Sequence, residues 1–81
     1  MIPNEAVEIY ISLLEEGTDC SRPTKAETLG NGQYRVLPTA NYDPTDEIWE
    51  FPPGSIVRTV KRRFEGKDYL LAVNPFFEPN L

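Results

Sequence analysis

The sequence predicts a mainly β fold: a small barrel or rolled antiparallel sheet of about five strands. Three observations point there. Residues 7–14 alternate side chains with the period of a strand. Two turn sequences, Gly30-Asn31-Gly32 and Glu65-Gly66-Lys67-Asp68, each separate a pair of extended runs. Eight prolines in 81 residues suit a loop-rich β chain better than a helix bundle.

In VEIYISLL, residues 7–14, Val7, Ile9, Ile11 and Leu13 fall on one face, and Glu8, Tyr10, Ser12 and Leu14 on the other. A helix competes for the same residues, with Asn4 as cap, Val7, Ile11 and Leu14 as a stripe, and Gly17 as terminator. Val-x-Ile-Tyr-Ile is poor helix material, because β-branched and aromatic side chains lose rotamer freedom against the preceding turn. A strand is therefore expected. After Pro23, runs 24–29 and 33–37 flank Gly30-Asn31-Gly32, where Asn and Gly accept the positive φ of a tight hairpin. Tyr34 and Val36 then share a face opposite Gln33 and Arg35.

PTANYDPTD, 38–46, is turn chemistry throughout, and a connection of that length in so short a chain is a place where function often sits. Residues 48–51 form a short extended piece before Pro52-Pro53-Gly54 turns the chain. SIVRTVKRRF, 55–64, reads as a strand of imperfect alternation. Ile56 and Val60 share a face with Arg58, whereas Val57 shares one with Lys61. A bulge or a strong twist would reconcile the two apolar sets. YLLAV, 69–73, returns after the Glu65-Gly66-Lys67-Asp68 turn.

Length and composition bound what the domain can do. Eighty-one residues are expected to form one domain, burying only about 60–65% of the surface of its unfolded chain. The chain has one cysteine, Cys20, and no histidine. An internal disulfide, a multi-cysteine metal site, imidazole ligands and a His-based triad are thereby excluded. Ser12, Ser21 and Ser55 have no recognisable base beside them, and no Gly-rich phosphate loop is present, so catalysis is not expected. No cofactor and no metal site is expected either. The first ten residues lack the basic and apolar regions of a signal peptide, and no apolar run approaches membrane-spanning length. Cytoplasmic residence is the expectation. The net charge is −5, unevenly spread: residues 1–50 hold ten acids against three bases, residues 51–81 three acids against five.

LLEEGTD, RPTKAE, GNGQYRVL and EIWEFPPGSIVR, in that order, resemble a group of small acidic bacterial proteins of uncharacterised activity. In that group L-L-x-E-G-x-D leads to R-P, then a hairpin, then W-E-F-P-P-G-[ST]-x-V-R. The likeness spans roughly residues 9 to 73 and implies a bacterial or phage-carried cytoplasmic protein, with no catalytic residue to transfer. The FPPGSIV segment also resembles the turn-into-strand element of SH3-like barrels, and the pair RPTKAETLGNGQYRVL the hairpin of Tudor-type barrels. An SH3-like small barrel is what these resemblances imply.

Two candidate surfaces remain. Tyr42, Asp43, Asp46, Glu47, Trp49 and Glu50 combine rings with carboxylates, which suits a basic protein surface, since Trp and Tyr are enriched among interface hot spots. An aromatic cage for a cation is a narrower version. The competing reading is architectural: Trp49 and Phe51 plug one end of the barrel while Glu50 faces water. Arg58, Lys61, Arg62, Arg63 and Lys67 form the second surface, with Tyr69 or Phe64 available for base stacking. Its competing reading is a charged strand that protects a sheet edge. Glu15, Glu16 and Asp19, with the acids of 43–50, lack the ligand spacing of a calcium loop and read as solvated charge. The leading functional reading is a non-catalytic protein-interaction module, or an acidic inhibitor or immunity-type protein that covers a basic partner. The runner-up is a nucleic-acid-binding barrel using the basic strand. A protein partner comes first, nucleic acid second and no membrane is involved; the sequence leaves the oligomeric state open.

Overall fold

The computed structural model describes residues 6–14 and 20–76. They form a mainly β structure with six strands and no helix: β1 (Ala6–Leu14), β2 (Ser21–Gly30), β3 (Gln33–Val36), β4 (Ile48–Trp49), β5 (Ile56–Phe64) and β6 (Lys67–Val73). The sheet order is β2-β3-β5-β6-β1-β4, and β1 pairs in addition with β2. All ladders are antiparallel except β1–β6, which is parallel through Tyr10 opposite Leu71. The sheet is thus not wholly antiparallel, and the extra strand is the two-residue β4. It pairs with the end of β1, Leu13 opposite Trp49.

β1 is the strand that the alternation predicts. Ile9 and Ile11 are fully buried, Val7 and Leu13 pack against them, and Glu8 and Leu14 face outward. Burying each isoleucine contributes about 1.5–3 kcal/mol. Opposite them on β2, Thr24 and Ala26 point inward. The Thr24 hydroxyl donates to the Leu37 carbonyl at 2.6 Å, so this one buried polar side chain among the described residues is satisfied. Pro23 sits opposite Tyr10 on β1, whereas the β2–β3 ladder covers only Ala26 to Gly30. Its missing N–H therefore falls where β3 has no need of a donor.

The β2–β3 hairpin turns through Gly30, Asn31 and Gly32, all with positive φ (92°, 56° and 75°). The ladder slips between Thr28 and Gly30, which leaves Leu29 exposed at a bulge. β5 and β6 join through Glu65 (φ 52°) and Gly66 (φ 82°), a two-residue turn with both central residues left-handed. Of the bulge or strong twist expected within 55–64, the bulge is not in the β5–β6 ladder, which runs without a register shift from Arg58–Val73 to Phe64–Lys67. The apolar sets need no reconciling because β3 is only four residues long. It covers β5 at Ile56 and Val57 and no further.

The buried apolar core comprises Ile9, Ile11, Ala26, Val36, Trp49, Val57 and Ala72, with Tyr34, Tyr42, Phe51 and Leu70 packed on it. Ile11→Ala should cost about 2–5 kcal/mol in urea denaturation. Leu29→Ala, at the exposed bulge, should stay within about 0.5 kcal/mol of wild type.

Candidate functional site

The 38–55 connection is held from both ends. The Leu37 amide donates to the Lys25 carbonyl at 3.0 Å, and Gly54 N–H donates to the Val36 carbonyl at 2.8 Å. Gly54 has φ 93°, the left-handed value that a glycine supplies at the third position of the turn closed by Ser55 N–H on the Pro52 carbonyl at 3.0 Å. Within the loop, Asp43 Oδ1 accepts from the Thr45 amide at 2.8 Å and the Thr45 hydroxyl at 2.6 Å. Its carbonyl accepts from the amides of Asp46 and Glu47 at 3.0 and 3.1 Å. The Thr45 hydroxyl, then the Thr45 amide, hold the Asp43 carboxyl below its ordinary pKa.

That turn delivers Trp49 into the core, where only 4% of it stays exposed. Tyr42 meets the indole edge-to-face, centroids 4.7 Å apart and planes at 67°. Trp49 Nε1–H donates to Glu47 Oε1 at 3.1 Å. Arg22 grips the same carboxylate with two nitrogens, Nε to Oε1 at 3.2 Å and Nη2 to Oε2. Arg22 first, Trp49 second, hold the Glu47 carboxyl below its ordinary range, against a smaller upward push from desolvation. A shallow cavity of about 420 Å³ lies beside this clasp, lined by Arg22, Pro23, Asn41, Asp43, Asp46 and Glu47.

Of the first candidate surface, then, the structure buries Trp49, half-buries Tyr42 against it, and bonds Asp43 and Glu47 internally. The indole is buried in the core and is not available as an anchor or as a wall of an open cation cage. Asp46 and Glu50 remain exposed. Glu15, Glu16 and Asp19 lie outside the described residues. Arg22, 25 residues from Glu47, is a partner that sequence spacing does not announce.

The second surface is of another kind. Residues 61–68 are exposed without a break. Beyond Val57, β5 pairs among the described residues only with β6. Lys61 and Arg63 point to one face of this hairpin, Arg58, Arg62 and Phe64 to the other, so the five bases do not form one patch. On the latter face the cross-strand pairs are Arg58–Val73, Val60–Leu71, Arg62–Tyr69 and Phe64–Lys67. Arg58 Nη2 donates to the Asn31 carbonyl at 3.3 Å. Arg63 and Asp68 approach only to 3.9 Å, both exposed, a contact of little energetic weight. Tyr69 meets Tyr10 of β1 edge-to-face at 5.0 Å. These two rings, with Phe64, Glu8 and Lys67, line a groove of about 730 Å³. Tyr10 is the residue missed from this surface; an aromatic side chain on the outward face of β1 was the signal for it.

Among the described residues no three His, Cys, Asp or Glu side chains are grouped to hold a metal ion. No helix there is long and apolar enough to cross a membrane. No protein-family model, curated protein or solved structure matches the chain.

Trp49 fluorescence should be blue-shifted and shielded from acrylamide. Trp49→Ala should cost about 3–5 kcal/mol, a large part of the about 5 kcal/mol available to so small a domain. The lowered Glu47 pKa fixes the sign of a pH effect. Its stabilisation is fully present above the ordinary glutamate range and is lost as pH falls through the lowered folded value. Acid denaturation of Glu47→Gln should accordingly show a flatter pH dependence over that window than wild type.

Proposed function

We propose that this chain is a small non-catalytic interaction domain that engages an anionic partner through the β5–β6 hairpin. The observation that carries the reading is the unbroken exposure of residues 61–68, which present Lys61, Arg62, Arg63 and Lys67 against only Glu65 and Asp68. Charged side chains on a projecting hairpin add nothing to the core, and they steer association with opposite charge. The loop of residues 42–50 is the less favoured surface, because its rings and two of its four acids are already engaged in holding the fold. Exposed Asp46 and Glu50 still support a second reading, contact with a basic partner.

The same proposal takes the sheet to be a small SH3-like barrel. The ring of pairings β1–β2–β3–β5–β6–β1 supports closure, and the Pro52-Pro53-Gly54 corner bonded to Val36 supports the turn-into-strand likeness. Bacterial origin and cytoplasmic residence belong to it as well, resting on the likeness of the WEFPPGSIVR segment. A binding rather than catalytic role rests on a chain without histidine whose serines lack a recognisable base.

A photo-crosslinking amino acid placed at position 64, and separately at position 46, in the full chain expressed in a bacterium tests this. Adducts are expected from position 64. Adducts from position 46 alone would move the binding surface to the loop.

A further inference from the structure

Resting on that reading of the hairpin, we infer that its anionic partner is single-stranded nucleic acid. Bases would stack on Phe64 and Tyr69, and phosphates would meet Arg62 and Lys67. The observation is a pairing of ring with cation, repeated. Arg62 lies across from Tyr69, and Phe64 across from Lys67, on the same face and in successive same-face rows. Such rows are about 6.8 Å apart along a strand, and directly opposed side chains are about 5 Å apart. Each row therefore offers one flat apolar face and one positive charge at the spacing of neighbouring side chains.

Phe64 is 67% exposed, although nothing in the register prevents a polar residue there. An acidic peptide would satisfy the cations and leave the rings in water. A duplex would satisfy the cations while its bases stay stacked on one another, out of reach of the rings. An unpaired strand supplies both parts, a π-face and a phosphate in every nucleotide. Tyr10, edge-on to Tyr69, holds that ring from the β1 side and continues the aromatic surface into the groove. Glu8, Glu65 and Asp68 border the same groove. They confine the backbone to the Arg62–Lys67 side, and they make the site depend on few phosphates.

Fluorescence anisotropy of labelled oligothymidylate, oligouridylate and a duplex of equal length, titrated with the full chain at several salt concentrations, tests this. Either single strand should bind at low salt. With two or three phosphates neutralised, the log–log salt slope should lie between about −1.4 and −2.1. Phe64→Ala should weaken binding about tenfold, the loss of one stacked base. Arg62→Glu with Lys67→Glu should abolish it, and Asp46→Lys, on the loop, should not weaken it. These positions are exposed, so circular dichroism of each variant should match wild type. No binding to either single strand, equal binding of the duplex, or unchanged affinity in Phe64→Ala would overturn the assignment. If oligonucleotides fail to bind while position 64 still crosslinks a protein, the hairpin remains the binding surface and only its nucleic-acid partner is lost. If position 64 yields nothing, both readings fall.

Discussion

Everything in this molecule depends on how its one indole is buried. Among the described residues the core is seven apolar side chains, two of them alanines, and Trp49 is by far the largest. Without that ring, the inward faces of β1, β3 and β5 would close on a void at the end where β4 pairs with Leu13. A buried indole N–H left without an acceptor costs about 1–3 kcal/mol. Glu47 supplies one, and Arg22 neutralises the charge that comes with it. The clasp joins the loop to β2, so the longest connection of the chain is fastened to the sheet at Leu37, Glu47, Trp49 and Gly54.

That use of the loop divides the chemistry of the chain. Asp43 folds the turn, Glu47 receives the indole and Tyr42 covers it, so these groups are committed to the fold itself. The β5–β6 hairpin is under no such demand. β3 ends its ladder with β5 at Val57, and the hairpin beyond has water on both faces as far as Asp68. Side chains there are free of packing, which is why cations and a well-exposed phenylalanine can be carried at small cost to folding. Surface substitutions of that kind change stability by only about 0.5 kcal/mol.

Much of the fold was legible because it is written in local pattern. The two-residue period of β1 gave its inward face, and Gly30-Asn31-Gly32 and Glu65-Gly66 marked turns that need positive φ. Pro52-Pro53-Gly54 marked the corner. The parts that were not legible are non-local. No spacing rule reveals that Arg22 meets Glu47, that β1 runs parallel to β6, or that the short extended piece at 48–51 pairs with the end of β1. The imperfect alternation of 55–64 was visible, but not that β3 pairs with β5 only at Ile56 and Val57 and leaves the rest of β5 without that neighbour. Of the candidate sites, sequence named the charged residues but not how they divide: the bases of 58–67 fall on two faces of the hairpin, and Asp43 and Glu47 are bonded within the fold. Sequence left Trp49 open between core and anchor, since an aromatic next to acids reads equally well as a contact or as a donor in search of an acceptor.

The acidic balance of the whole chain, −5, is compatible with a cationic hairpin because charge acts locally in salt. At physiological ionic strength the field of an exposed charge decays over about 8 Å. Of the loop's acids, Glu47 is partnered by Arg22, so the field reaching the hairpin from that side is reduced at its source. In the proposed function a polyanion nearing the hairpin would meet the four bases of residues 61–67, with Glu8, Glu65 and Asp68 beside them, at short range and the more distant acids only through screening solvent. The acidic remainder also limits where such a partner can lie. In that proposed role a strand that strayed off the hairpin would meet like charge, so the rest of the surface would confine binding to one face. If the proposed function holds, an acidic domain with a basic arm would gain selectivity from the same asymmetry that lowers its encounter rate.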